Sequence, residues 1–459
     1  MKLAVLNGSP KGKFSSTLQY ALYIQKHYPQ HEFKIINVAT EIDSLAAKAA
    51  VFEGVMDEIR ACDGVLWVFP LYHLLVPAQL KRFIELVFER NREAIFAGKY
   101  SATITTSIHY MDHTAHNYVQ AVGEDLQMKH LDTFSAYEEL LTDEGRRKLL
   151  FFAGSVFAAI ETKAPVQTVF MRATKSSFGY APRPVEKKTC LEGKKMTIIT
   201  DDAGGNSNIA RMAQRLAAGF SAGVEIVDLS KLKIGWCREC YHCGYDNQCI
   251  YAGNARDDFI RMFETRIKPA DIIVFAGAIK DRYLSHHFKV YFDRSFYMTH
   301  LPFYKDKQMA FLVSGPLRQI PNLWQILSTY PDAHGANNAG LVTDESGDSV
   351  AIDALLAALA ERLVAGAQNH YVKPRTFFGV ATHKIIRDEV WGKLRFLFQA
   401  DHKYYAKHGL YDFPYRSPGK LMISFIAYYL LKIRFMRNKF RQVMRAESVK
   451  PLKAAVAKY

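Results

Sequence analysis

Four of the chain's six cysteines lie within a stretch of thirteen residues. These four are Cys237, Cys240, Cys243 and Cys249. Their spacing lets four thiolates converge from one loop, as the ligands of a [4Fe-4S] cluster or of a tetrahedral zinc ion do. The pattern predicts a metal centre and favours an iron–sulfur cluster over zinc, while thiols without a metal are the third interpretation.

The cysteines are not expected to form disulfides. The chain begins MKLAVLNGSPKGKF, which contains no apolar segment long enough for export. We therefore expect the protein in the reducing cytoplasm, where disulfides are rare.

A second group of chemically active residues follows the first predicted strand. The loop NGSPKGKFSST combines glycines, lysines and hydroxyls just before a helix that should begin at about Ser16. Free N–H groups and the positive end of the helix dipole can hold a phosphate there. A capped helix after a solvated turn is the alternative interpretation. The candidate ligands are Ser9, Lys11, Ser15, Ser16 and Thr17.

The elements that position these residues occur twice in the chain. The strand at Lys2 has a counterpart at Lys195, an offset of 193, and the strand at Lys99 has one at Lys307, an offset of 208. The increase in offset shows that the second copy has extra residues, and these fall where the cysteine loop lies. The first copy lacks this loop. The sequence therefore predicts a tandem duplication.

Each copy alternates short β-branched runs with amphipathic helical stretches, which is typical of a parallel sheet covered by helices on both faces. Such sheets bind ligands beyond the carboxyl ends of their strands. We predict an α/β fold class with two doubly wound parallel sheets and a basic, mainly helical C-terminal extension. The predicted domains are residues 1–187, 188–374 and 375–459.

In the second copy, the loop after the first strand reads TDDAGGNSN. Asp201 and Asp202 stand where copy one has small and cationic residues, and two carboxylates would repel a phosphate dianion. We expect this turn to be retained and its phosphate to be lost.

These segments resemble the flavodoxin-like NAD(P)H-dependent FMN reductases, and especially their iron–sulfur flavoproteins. Residues 8–16 resemble the flavin phosphate loop, residues 70–84 the segment beside the flavin ring, and the second copy the compact cysteine motif. The resemblance implies tandem flavodoxin-like folds and FMN bound by copy one. The ring contacts that it implies are Pro70, Leu71, Tyr72, His73, Ser107 and His109. For the histidines after the fourth strand, His109, His113 and His116, a general acid is favoured over a metal site, and no catalytic residue is assigned.

Neither copy has the whole site of that family, because copy one lacks the cysteine loop and copy two lacks the phosphate loop. We therefore predict an intrachain pseudo-dimer with FMN in copy one and the cluster in copy two. The implied function is an NAD(P)H-dependent flavin oxidoreductase that passes electrons between FMN and a [4Fe-4S] cluster to a quinone, a small oxidant or a redox partner. The alternatives are an FMN or quinone reductase without a cluster and a non-enzymatic zinc-binding scaffold.

The positive charge of the chain is concentrated in its tail. Residues 373–459 contain 19 lysines and arginines and 5 acidic residues, a net charge of +14 in a chain of +15. An apolar run at 421–431, too short to span a bilayer, precedes a basic amphipathic stretch. The interpretations are a helix packed on the body, peripheral contact with an anionic membrane, or an acidic redox partner. No nucleic-acid-binding motif accompanies the charge, so we expect no nucleic-acid partner, and homodimer formation is left open.

Overall fold

The computed structural model describes residues 1–174, 176–413 and 418–458. They form two compact units, Met1–His402 and Lys403–Tyr459. The first unit contains two five-stranded parallel sheets, each covered by helices.

The first α/β domain has the strand order β2-β1-β3-β4-β5, which is that of flavodoxin-like sheets. Its strands are β1 (Lys2–Asn7), β2 (Glu32–Ile36), β3 (Gly64–Pro70), β4 (Tyr100–Thr106) and β5 (Lys129–Ala136). Its helices are α1 (Ser16–His27), α2 (Ile42–Ala47), α3 (Ala49–Arg60), α4 (Ala78–Glu89), α5 (Asp112–Asp125) and α6 (Asp143–Glu161).

The second α/β domain has the equivalent order, β7-β6-β8-β9-β10. Its strands are β6 (Met196–Thr200), β7 (Val224–Asp228), β8 (Ile272–Ala278), β9 (Gln308–Ser314) and β10 (Asn337–Thr343). Its helices are α7 (Asn208–Ala218), α8 (Phe259–Met262), α9 (His286–Ser295), α10 (Pro321–Ala333) and α11 (Ser349–Gln368). The predicted fold class, two tandem flavodoxin-like sheets followed by helices, is confirmed.

Equivalent contacts fix the strand register in the two domains. The N–H of Lys2 donates to Asp63 at 2.7 Å, and the N–H of Lys195 donates to Asp271 at 2.8 Å. The sequence offsets of 193 and 208 therefore align residues that hold the same positions in the two sheets.

Among the described residues after the second domain there are four more helices. They are α12 (Phe377–Trp391), α13 (Gln399–Lys407), α14 (Pro418–Leu430) and α15 (Arg434–Lys458). Residues 375–402 belong to the first compact unit, so the extension predicted from residue 375 is divided at 402. Within the described part of the chain, no helix is both long and apolar enough to span a bilayer.

Helices α4 and α9 join the two domains through reciprocal contacts. Glu85 on α4 accepts a hydrogen bond of 2.7 Å from the N–H of His286, which begins α9. Asp293 on α9 accepts one of 2.8 Å from the N–H of Ala78, which begins α4. Each carboxylate thus satisfies an N–H that the start of the other helix leaves without an intrahelical acceptor.

Each of these buried carboxylates also pairs with a lysine one turn earlier on its own helix. Lys81 lies 2.6 Å from Glu85, and Lys289 is paired with Asp293. Burial alone would raise the pKa of Glu85, but the charge of Lys81 and the hydrogen bond from His286 outweigh it and lower that pKa. One hydrophobic cluster surrounds these pairs and includes core residues of both domains.

Replacement of Glu85 by Gln should lower the free energy of unfolding by about 3 kcal/mol at neutral pH, because Lys81 is left with less compensation in a buried site. A carboxylate whose pKa is lowered by folding stabilises the fold above its ordinary pKa and loses this effect as the pH falls toward the folded value. The difference between wild type and variant should therefore shrink below the ordinary titration range of glutamate. Denaturant unfolding over a pH series measures it.

Glu89→Gln provides the control on the same helix. Glu89 is 52% exposed and pairs with Arg82. Its loss should lower stability by less than about 1 kcal/mol. Equal losses for the two variants would contradict the role given to Glu85.

Candidate active site

The loop after β1 is held in shape by Asn7, a buried residue that the sequence analysis missed. The Asn7 side chain accepts a hydrogen bond from the Ser9 N–H at 3.2 Å and donates one to the Gly12 carbonyl at 3.1 Å. Gly12 has φ +55°, and a Cβ atom on Gly8 would lie 2.5 Å from Leu80 Cδ2. Both glycines are therefore required by the turn and by its close approach to α4. The sequence did contain a signal for this role, because Asn7 is a polar residue at the end of a mostly apolar strand.

Helix α1 begins at Ser16, as predicted, with Ser15 as its N-cap. The Ser15 hydroxyl accepts a hydrogen bond of 3.2 Å from the Leu18 N–H. The N–H groups of Ser16 and Thr17 lie in the first turn, where no intrahelical carbonyl can accept them. The Thr17 hydroxyl lies 2.6 Å from that of Thr106 at the end of β4. The loop thus brings an N-terminal helix turn to the carboxyl edge of the sheet.

The predicted ring segment begins where β3 ends at Pro70 and continues through Leu71. His73 has φ +43°, an uncommon left-handed conformation. Its Nε2 is buried and has no hydrogen-bond partner among the described residues. Burial, together with the nearby charge of Lys289, holds the pKa of His73 well below its ordinary value. A ligand with a polar group would satisfy this neutral ring nitrogen, so the segment fits a bound flavin.

Ser107 and His109 follow β4 in a short hydrogen-bonded loop. The Ser107 hydroxyl accepts a hydrogen bond of 2.9 Å from the His109 N–H. The His109 ring lies 3.3 Å from Asp112 and 3.2 Å from the Ser135 hydroxyl. Burial would raise the pKa of Asp112, but hydrogen bonds from Ser135 and His109 outweigh it and lower that pKa. His109 is 47% exposed, so a ligand or solvent can reach its ring.

The cysteine loop of the second domain lies against the candidate site of the first. The Tyr72 hydroxyl is 3.0 Å from the Cys237 sulfur, and Gln79 donates to the Cys237 carbonyl at 2.9 Å. Lys11 of the phosphate loop donates to the Tyr241 hydroxyl at 2.7 Å. The structure therefore brings together predicted site residues from both domains.

All four cysteines of this loop line one cleft. The lining also includes Tyr72 from the first domain and Arg294 and Phe296 from the second. The four cysteines differ in exposure, since Cys240 is exposed and the other three are half-buried. They are free thiols in the structure and form no disulfide.

The arrangement of these thiols bears on both metal interpretations. Burial raises the pKa of Cys237 and Cys243 to about 12, whereas a coordinating metal ion deprotonates a thiol outright. Across residues 1–174, 176–413 and 418–458, no three His, Cys, Asp or Glu side chains are grouped so that they could hold a metal ion. A single zinc ion needs four ligands at about 2.3 Å, so the loop fits zinc poorly. The thiolates of a cluster must also converge, each on one iron of the same cluster, so among the described residues this finding counts against both metal interpretations.

The corresponding loop of the second domain is filled by the protein's own carboxylates. The Ser207 hydroxyl donates to Asp202 at 2.6 Å, and a Cβ atom on Gly205 would lie 2.0 Å from the Asp202 carboxylate. Asp344 accepts hydrogen bonds from the Asn208 amide at 2.8 Å and from the Ser314 hydroxyl at 2.6 Å. Because these anions use the donors that a phosphate would need, this site does not fit FMN.

Comparison with known families bears on the first domain. Residues 1–138 match the family model described as NADPH-dependent FMN reductase. The matched range contains every predicted flavin contact from Ser9 to His109 and ends before the cysteine loop. No curated protein matches the chain.

Solved structures resemble about one domain of the chain. FerB, a flavoenzyme NAD(P)H:acceptor oxidoreductase from Paracoccus denitrificans, is 19% identical over 35% of this chain and 97% of its own, with a TM-score of 0.30. An FMN-dependent NADH-azoreductase from Bacillus anthracis is 16% identical over 36% of this chain and 100% of its own, with a TM-score of 0.25. A putative quinone reductase from Klebsiella pneumoniae is 16% identical over 39% of this chain and 91% of its own, with a TM-score of 0.27.

The exposure of the cysteines predicts their reactivity. In folded, metal-free protein, iodoacetamide should modify Cys190 and Cys240, which are exposed, and should leave the buried Cys62 unmodified until the chain unfolds. Mass spectrometry of peptides taken over a time course measures the modification of each cysteine. Slow modification of Cys240 beside rapid modification of Cys190 would contradict the exposed position of Cys240.

Proposed function

We propose that the chain is an NAD(P)H-dependent flavin oxidoreductase that binds FMN at the first α/β domain and a [4Fe-4S] cluster at the cysteine loop. Electrons would leave to a quinone, a small oxidant or a redox protein. One observation carries this proposal: the four cysteines line a single cleft whose wall includes Tyr72, from the segment that resembles a flavin-ring contact.

The FMN half of the proposal is supported by the family match over residues 1–138. The phosphate would be held by the first turn of α1 and the loop before it, with Lys11 neutralising part of its charge. The ring would lie along residues 70–73, where the Nε2 of His73 has no partner among the described residues. His109, held by Asp112 and Ser135, would hold or release a proton near the loop that follows β4.

The cluster half is supported by the contacts between the domains. In this proposal the chain arose by tandem duplication, after which each copy kept the part of the site that the other lost. The equal strand order of the sheets and the carboxylates that fill the second phosphate loop support such a division. The hydrogen bond between Tyr72 and Cys237 would tune the cluster, because hydrogen bonds to ligand sulfurs alter reduction potentials.

When bound, a flavin exchanges electrons in pairs and an iron–sulfur cluster carries one at a time, so together they convert two-electron into one-electron chemistry. The chain's own contribution is positioning. Tyr72, Gln79 and Lys11 hold the cysteine loop against the first domain.

A flavin or quinone reductase without a cluster is the second candidate. One observation favours it: none of the described His, Cys, Asp and Glu residues form a group of three that could hold a metal ion. In that case the cysteine loop would only cover the flavin site.

Anaerobic purification followed by assays of iron, sulfide, zinc and flavin separates the candidates. About four irons and one FMN per chain are expected, the values for one [4Fe-4S] cluster and one flavin site. FMN without iron would establish the second candidate, and zinc without flavin would refute both.

Replacement of Cys240 by Ala should abolish the broad visible absorption of the cluster and leave bound FMN in place, because the thiol lies on the second domain. Absorption spectra and flavin release measure both cofactors. Cys190→Ala is the matched control, since Cys190 is also exposed but lies outside the loop. Loss of FMN together with iron in the Cys240 variant would argue against separate sites.

Replacement of Ser16 by Asp should remove most of the bound FMN, because a carboxylate at the start of α1 repels a phosphate. Ser16→Asn, which has nearly the same size and no charge, should retain more flavin. Unchanged flavin content in the Asp variant would move the FMN site away from this loop.

A further inference from the structure

The second compact unit exposes a concentrated apolar surface. Helix α14, the turn that follows it and the first half of α15 carry large apolar side chains, most of which are more than 40% exposed. They are Leu421, Met422, Ile423, Phe425, Ile426, Tyr428, Tyr429, Leu430, Ile433, Phe435, Met436, Phe440 and Val443. Contiguous apolar surface of this kind on a soluble protein normally marks an interaction site.

Helix α14 is predominantly apolar, although its sequence includes Lys420 and Ser424, and predominantly apolar helices are typical of a protein core or of contact with lipid. It has 13 residues, so it is about 20 Å long and shorter than the roughly 30 Å of a bilayer core. Such a helix can enter one side of a bilayer but cannot cross it.

Cations alternate with the apolar side chains in the second half of this surface. Lys432 lies 4.7 Å from the ring centre of Tyr428 and 5.0 Å from that of Tyr429. Arg434, Arg437 and Lys439 come next on α15 and are exposed. The sequence between residues 412 and 447 contains no acidic residue. Tyrosines beside lysines and arginines at the end of an apolar segment are typical of membrane–water interfaces.

We propose that residues 418–440 form a docking surface for membranes that contain anionic lipids. In this arrangement α14 lies in the headgroup region with its apolar side chains among the acyl chains, and the cations that follow contact lipid phosphates. The proposal is independent of the proposed redox function, since it rests on the second compact unit alone.

Charge favours a membrane over a second copy of this chain as the partner. A symmetric contact between two copies would bring the same patch against itself. The cations at 432, 434, 437 and 439 would then repel one another with no acidic residue nearby to compensate. Anionic lipid supplies the opposite charge and an apolar phase together.

Co-sedimentation of the full chain with vesicles tests the proposal. Binding should be strong to vesicles that contain phosphatidylglycerol and weak to phosphatidylcholine alone, and it should fall as salt screens the charges. Replacing Lys432, Arg434, Arg437 and Lys439 by Gln should weaken binding several-hundred-fold, from about fivefold for each cation lost. Phe425→Ser together with Phe435→Ser should also abolish binding, because the apolar anchor is removed.

A matched control removes the same charge elsewhere. Lys148, Lys231, Arg261 and Lys268 are exposed on the first compact unit, and replacing them by Gln should leave vesicle binding within about twofold of wild type. Flavin content should stay the same in every variant, so failure of this proposal is distinguishable from failure of the redox function.

Three results would overturn the proposal. One is no sedimentation with anionic vesicles, and another is equal weakening by the two sets of charge variants. The third is a dimer in analytical ultracentrifugation that the two phenylalanine changes dissociate while vesicles remain unbound, which would assign the surface to a second copy.

Discussion

The rest of the structure depends on the reciprocal contact between α4 and α9. Glu85 and Asp293 are buried carboxylates, and each accepts the first N–H of the helix that carries the other. A buried carboxylate that loses its partners is strongly destabilising, so these two hydrogen bonds favour the packing of the domains against each other. The contact fixes the relative orientation of the two domains, because both hydrogen bonds must form at once. Lys289 extends it by donating to the Tyr72 carbonyl at 2.8 Å.

This orientation brings the cysteine loop against the candidate site of the first domain. The loop is an insertion that only the second domain has. It extends from that domain at a point that lies close to the first domain. Trp236 at its start donates to Asp43 at 2.7 Å, and Tyr72 meets Cys237. The candidate flavin contacts and the cysteines thus become neighbours without any direct connection in sequence.

The two domains share an architecture but differ in their loops. In the first domain, the Asn7 side chain and two glycines set the shape of the loop between β1 and α1. In the second, Asp202 and Asp344 use the equivalent donors within the protein. An anion already bound within the fold prevents phosphate binding by repulsion and by occupying its donors. A chain with two similar sheets therefore offers one candidate FMN site.

The sequence by itself determined the alternation of strands and helices, the start of α1 and the spacing of the cysteines, because these are local patterns. It also determined which segments of the two domains correspond, because the same local patterns occur twice in the chain. It did not show the supporting role of Asn7, the contact of Tyr72 with Cys237, or the packing of residues 375–402 with the first unit. Tyr72 and Cys237 are 165 positions apart in the sequence. They meet because α4 packs against α9, with the carboxylates of both helices buried between the domains. Such contacts are decided by tertiary structure, since a residue's local sequence carries no information about which distant surface satisfies its hydrogen bonds.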